Sequence, residues 1–178
     1  MKRQKLDYLQ KARNYAFLLL KFRPRSEKEL YQRLKKKKID EAIIKETLSF
    51  LKDKNFIDDN YFAKAWIESR LKKPFGLRRI KEELRFKGID KEIVSRTIEE
   101  LSVNYSEEEA VLKVAKAKLD KLKGIAPDKA KRRVFDYLLR RGFSADIIIE
   151  VINQQGRFST QSRTVPFQRT RREGSALA

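Results

Sequence analysis

The stretch Leu30 to Leu51, LYQRLKKKKIDEAIIKETLSFL, returns 50 residues later as IKEELRFKGIDKEIVSRTIEEL, Ile80 to Leu101. Leu30, Leu34, Ile39, Asp40, Ile43, Thr47 and Leu51 fall on Ile80, Leu84, Ile89, Asp90, Ile93, Thr97 and Leu101. At a further shift of 54, Val134, Leu138, Gly142, Phe143, Ile147, Ile148 and Ile152 take the places of Ile80, Leu84, Gly88, Ile89, Ile93, Val94 and Ile98. Agreement of apolar and turn positions at a nearly fixed period marks a repeat protein. The chain is three copies of one unit.

Within each unit the apolar residues recur every three or four positions, as in Leu9, Ala12, Ala16, Leu19 and Leu20, or Ile43, Ile44, Leu48 and Leu51. That spacing gives amphipathic helices, not strands. Ser26 with Glu29 and Ser106 with Glu109 read as capping boxes, Asp40, Asp58 and Asp90 as N-caps, and Gly88 and Gly142 as left-handed stops. The punctuation predicts nine helices, at about 5–22, 26–37 and 40–54; 58–72, 76–87 and 90–102; 106–123, 127–141 and 144–153. The expected fold is all-α, with three-helix repeats at 1–55, 56–103 and 104–153. Aromatics such as Tyr15, Phe17, Phe50, Phe62, Trp66, Phe86 and Phe135 sit at or beside apolar positions and are expected to pack within and between repeats. From Gln154 to Ala178 the apolar stripe ends and Arg157, Arg163, Arg169, Arg171 and Arg172 stand among Ser, Thr and Gln, so a disordered basic tail, native or added to the natural chain, is expected there.

The 178 residues include 44 Lys and Arg against 25 Asp and Glu, a formal charge of +19. So large an excess points to a polyanionic partner, nucleic acid before membrane surface. Cysteine and histidine are both absent, which removes disulfides, thiolate metal sites, a thiol nucleophile and the commonest general base. The six glycines form no phosphate-cradling loop, and the Asp58–Asp59 pair is explained by helix capping more cheaply than by magnesium. No catalytic residue, cofactor or metal is expected. The longest apolar run near the N-terminus, Ala16 to Leu20, is too short for a membrane span or signal segment, so a cytoplasmic location is expected.

The basic residues recur with the repeat. In the first unit Arg23, Arg25, Lys28, Arg33, Lys35, Lys36, Lys37 and Lys38 stand against two acids; in the second, Arg70, Lys72, Lys73, Arg78, Arg79, Lys81, Arg85 and Lys87 stand against two. The third carries Lys129, Lys131, Arg132, Arg133, Arg140 and Arg141 opposite Asp136. One charge run is usually a solvated face, but three in register predict a continuous stripe along stacked second helices. A stripe suits a long regular polyanion, and nothing in it resembles base readout.

The runs RPRSEKELYQRL (Arg23–Leu34), IDDNYFAKAW (Ile57–Trp66) and PFGLRRIKEELRFKGID (Pro74–Asp90) resemble the RecX family in order and spacing, with LLRRGFS (Leu138–Ser144) a fainter echo. The resemblance covers about residues 5–153. It implies an elongated, curved stack that binds in the groove of RecA filaments on single-stranded DNA and restrains RecA's ATPase, strand exchange and filament growth. The partners it implies are the RecA nucleoprotein filament and, more weakly, naked single-stranded DNA, with the protein acting as a monomer. Lys38 departs from the glycine expected at its turn, which strains that turn locally. The alternative is a helix-turn-helix transcription factor, which would require specific base contacts and paired half-sites.

Overall fold

The computed structural model describes residues 2–103 and 105–161. Among these residues there are nine helices and no strand. They are α1 (Lys2–Phe22), α2 (Glu27–Lys36), α3 (Glu41–Asp53), α4 (Asp59–Leu71), α5 (Leu77–Phe86), α6 (Lys91–Ser102), α7 (Glu107–Asp120), α8 (Pro127–Arg140) and α9 (Ala145–Gln161).

The predicted punctuation operates at atomic level. Ser26 Oγ accepts from the Glu29 amide, Ser106 Oγ from the Glu109 amide, and the carboxylates of Asp40, Asp58 and Asp90 accept from the amides two residues on. Each satisfies one of the orphan donors of a helix start. The second helices end on left-handed residues, Gly88 at φ 80°, Gly142 at φ 83° and, in the first repeat, Lys38 at φ 57°. Lysine therefore occupies the turn that glycine occupies twice later, at the steric cost that an L side chain carries there.

Stability comes from packing, since helices this short are marginal alone. Every extensive helix-to-helix contact lies within a triad: α1, α2 and α3; α4, α5 and α6; α7, α8 and α9. Three separate cores follow, built on Leu30, Leu34, Ile44 and Leu51; on Phe62, Ile67, Ile80 and Leu84; and on Val111, Val134, Leu138, Phe143 and Ile148. Two expectations are corrected. The last helix does not stop at residue 153 but runs to Gln161, because extending a nucleated helix adds a backbone bond for each residue fixed, which polar residues also supply. Residues 162–178, the remainder of the expected disordered tail, lie outside the described residues. Phe86, expected to pack, is 70% exposed at the end of α5, with only the Arg85 guanidinium 4.9 Å from its ring.

The triads are joined at the ends of their second helices. At the first joint Ser26, fully buried, donates its hydroxyl to the carbonyl of Lys87, the C-cap of α5, at 2.7 Å. At the second, the amide of Gly76 donates to the carbonyl of Arg141, the C-cap of α8, at 2.9 Å. A neighbouring carboxylate completes each joint: Asp59 accepts from the Glu27 amide at 3.0 Å, and Glu107 from the Leu77 amide at 3.2 Å. Burial pushes both carboxyls above their ordinary values, and the amides they accept from draw them part of the way back. The joints differ in closeness. A Cβ on Gly76 would run into the backbone of Gly142 and Phe143, whereas the first joint has room for the serine.

The first joint also holds an ion network. Glu29 accepts from Lys87 Nζ at 2.6 Å and from Arg23 Nη1 at 2.9 Å. Burial alone would raise the Glu29 carboxyl, but the bonds from Arg23 and Lys87 outweigh it and hold the group down to about 2.

Two outcomes follow. Gly76→Ala, at an ordinary φ of −77°, should cost about 1–3 kcal/mol by overpacking a joint that cannot give. Unfolding followed by circular dichroism and by fluorescence of the single tryptophan, Trp66, should then cease to coincide, because the third triad loses its hold on the second. Ser26→Ala, which removes a cap without a clash, should cost about 1 kcal/mol; a Gly76→Ala protein as stable as wild type would mean that the helices do not meet there. The second outcome concerns Glu29 and depends on pH. Its value in the fold lies below the ordinary 4.5, so its contribution is complete above about pH 4.5 and is lost as pH falls toward 2. Denaturant midpoints measured from about pH 6 down to pH 2 should fall less steeply in Glu29→Gln than in wild type, and parallel curves would remove Glu29 from the acid response.

Candidate functional site

Two buried aliphatics fix the rotation of each second helix: Leu30 and Leu34 in α2, Ile80 and Leu84 in α5, Val134 and Leu138 in α8. Most of the basic residues between and before them face water. Lys28, Arg33, Lys35 and Lys36 are exposed on α2, Arg78, Arg79, Lys81 and Arg85 on α5, and Arg132, Arg133 and Arg140 on α8. Lys72 and Lys73, in the connection before α5, are exposed as well. Because α8 meets α5 and α5 meets α2 end to end, these surfaces follow one another in the order α8, α5, α2.

The structure divides the predicted basic set in two. One part is held by the fold. Arg23 and Lys87 bind Glu29; Arg70 and Arg79 clasp Glu83 from two sides, at 2.6 and 3.1 Å; Arg85 pairs with Glu82 at 3.1 Å in full view of solvent. Burial raises the Glu83 carboxyl, but the bonds from Arg70, Arg79 and the Trp66 indole bring it below its ordinary value. Arg25 and Arg141 bind carbonyls instead, those of Leu19 at 3.2 Å and Pro74 at 2.9 Å. Burial, followed by repulsion from Arg23, lowers the Arg25 guanidinium. The C-cap residues Lys37, Lys87 and Arg141 each lie over an aromatic ring, that of Tyr15 at 5.3 Å, Trp66 at 4.2 Å and Tyr137 at 4.7 Å. These cations cover ring faces and oppose the negative ends of their helices.

The other part is not held by ion pairs. Among the described residues no carboxylate lies within ion-pair distance of Lys28, Arg33, Lys35, Lys36, Lys72, Lys73, Arg78, Lys81, Arg132, Arg133 or Arg140. Three of them are equivalent by the repeat: Lys28, Arg78 and Arg132 stand two residues before Leu30, Ile80 and Val134 and are exposed in all three. Arg78 and Arg79, adjacent in sequence, thus separate: Arg79 is engaged with Glu83 and the Phe75 ring, and Arg78 is exposed with no such partner.

Sequence reasoning missed the two joint carboxylates. Asp59 and Glu107 lie 48 residues apart, each one residue after an N-cap, so aligning the first helices by their caps would have exposed the pair. It also left out the lysines of α7, which lie outside the second helices. Asp58 and Asp59 serve as cap and joint, and among the described residues no group of three or more Asp or Glu is placed to hold a metal. Among the same residues, no helix is long and apolar enough to cross a membrane.

Comparison with known proteins bears on the whole repeat. Three family patterns match in order: the first three-helix domain of RecX over residues 12–51, the second over 58–98 and the third over 106–152. The regulatory protein RecX of Streptomyces coelicolor is 33% identical over 149 residues, covering 83% of this chain and 79% of its own length. That of Haemophilus influenzae is 31% identical over 142 residues, which is 92% of its length. The crystal structure of RecX from Lactobacillus salivarius superposes with a TM-score of 0.72 at 25% identity, covering 85% of this chain and 98% of the other. The Streptomyces and Haemophilus relatives are both named regulatory proteins, and with its three domains matched in sequence and its helices matched in space, this chain belongs to the RecX family of regulatory proteins.

Proposed function

We propose that this protein binds RecA filaments assembled on single-stranded DNA and restrains RecA's ATPase, strand exchange and filament growth without catalysing a reaction. The observation that carries the reading is the triplet Lys28, Arg78 and Arg132, repeated, exposed and unpaired along second helices joined end to end. Helices of 10 to 14 residues are roughly 15–20 Å long, which sets the scale of the spacing between equivalent cations on helices that meet end to end. That spacing suits an extended partner that presents negative charge at intervals, either phosphates or acidic side chains of successive RecA protomers.

A protein that performs no chemistry shifts a filament only by binding one state better than another. A line of basic residues spanning more than one protomer favours the assembled, static arrangement and penalises any step in which protomers move apart or add. Arg33, Arg133 and Arg140 extend the exposed set beside the triplet, with Lys35, Lys36 and Lys81 supplying less directional charge. The protein works as a monomer in the cytoplasm under this reading, and naked single-stranded DNA is its weaker ligand.

Wild-type protein should depress DNA-dependent ATP hydrolysis by RecA. Arg78→Glu with Arg132→Glu should raise the half-inhibitory concentration by roughly tenfold or more, since two contacts turn repulsive, with an unchanged circular dichroism spectrum. Arg79→Glu should instead lower thermal stability, because it breaks the clasp on Glu83. Absence of any effect of wild-type protein on RecA's ATPase and filament assembly would end the filament reading. On naked single-stranded DNA, neutralising about five phosphates should weaken binding about a hundredfold between roughly 50 and 200 mM salt. Affinity independent of salt, measured by anisotropy of a labelled oligonucleotide, would remove the stripe from DNA binding.

A further inference from the structure

The first helices of the second and third triads align at their N-caps, Asp58 and Ser106. That alignment sets buried Ala63 and Ile67 of α4 opposite buried Val111 and Ala115 of α7. Beside them, α4 carries Phe62 and Trp66, stacked with ring centroids 5.7 Å apart and covered by Lys87 and Arg70. α7 has Ala110 and Val114 at the equivalent positions. Where the second triad is filled by two aromatic rings, the third is trimmed to small side chains.

A cavity of about 400 Å³ opens at this place, between α7, α8 and the connection that joins α4 to α5. Its floor is aliphatic, formed by Leu71, Ala110 and Val114, with exposed Pro74 and Ala117 at the edge and Tyr137 as a wall. Lys72, Lys73, Lys113, Lys118 and Lys121 surround it, and no carboxylate lines it. Lys113 and Lys118 belong to α7 and Lys121 is its C-cap, so three of the five lie off the second helices, and only Lys72 and Lys73 are shared with the predicted basic set.

We propose that this cavity docks an acidic protein segment, which inserts one bulky apolar side chain against Val114 and lays its carboxylates on the lysine rim. Charge complementarity requires an anionic occupant, since five cations face the opening without a counter-charge among the lining residues. The aliphatic floor favours a protein anchor over a nucleobase. Sequence-tolerant capture of bases relies on bare aromatic faces, and the one ring here, Tyr137, already carries Lys118 at 4.8 Å and Arg141 at 4.7 Å. Arginine, which grips phosphate in two-point fashion, is missing from the lining and stands instead along the second helices. The chain's own C-terminal segment has the wrong sign, with Arg163, Arg169, Arg171 and Arg172 against Glu173 alone over residues 162–178.

The test uses the full chain and three fluorescein-labelled probes: an acidic peptide with a central Phe-Leu pair, the same peptide with Ser-Ser at its centre, and an oligothymidylate. Wild-type protein should bind the Phe-Leu peptide roughly tenfold more tightly than the Ser-Ser peptide, the size of effect one buried anchor gives. Val114→Trp, which installs the residue that the second triad carries at Trp66, should erase that preference while leaving the Ser-Ser peptide bound. Lys113→Gln with Lys121→Gln should weaken both peptides severalfold. Circular dichroism establishes that the variants fold, and if Val114→Trp does not, Ala117→Leu fills the cavity from its exposed side and takes its place. Equal affinity for the two peptides in wild-type protein overturns the proposal, as does a preference that survives the filling substitution. If filling the cavity weakens the oligothymidylate and spares the Phe-Leu peptide, the site belongs to nucleic acid and the protein reading is wrong.

Discussion

A helix end is a set of polar groups in need of partners, and the architecture of this protein rests on the way two such ends satisfy each other. The carbonyl that closes α8 accepts from the amide that precedes α5, and the carbonyl that closes α5 accepts from the hydroxyl that caps α2. The negative end of one helix dipole is thereby set against the positive end of the next. Asp59 and Glu107 absorb the next orphan amide at each joint, with the same geometry from different residues. Without these contacts the three cores would be separate small bundles, since all the extensive packing is internal to each triad.

The joints also decide which cations remain available to a partner. Lys87 and Arg141 sit at the C-caps where helices meet and are drawn inward, one to Glu29 and the other to the Pro74 carbonyl. The stacking thus claims the cations at the C-caps, while Lys28 and Arg78, two residues past the N-caps of the same joints, stay exposed. Half-buried pairs such as Lys87–Glu29 contribute more than solvated ones such as Arg85–Glu82, whose worth is small in water.

The sequence disclosed the fold well because its periods and caps are local signals. Leu30, Leu34 and Ile44 lie where the helical spacing requires, and Gly88 and Gly142 take the left-handed conformation their positions implied. The end of α9 was misplaced because polar residues carry no amphipathic pattern even while they extend a helix. The site was legible as a composition and not as a set of contacts. Arg78 and Arg79 are alike in any one-dimensional reading, and only the direction of Glu83 separates them. The joints were the least visible feature, since their partners lie 30 to 67 residues apart and involve backbone atoms that have no signature in the side-chain alphabet.

Because both joints are made in the same sense, the row of second helices is an arrow. Its tail is the start of α8, at Pro127, and its head is the end of α2, at Lys36, which no further second helix follows among the described residues. The two directions along it are chemically distinct. A partner that is itself directional, as any strand or head-to-tail polymer is, offers such an arrow two inequivalent orientations, with different charges brought into register in each. Orientation on a directional lattice is thus written into the order of the helices, before any individual contact is specified.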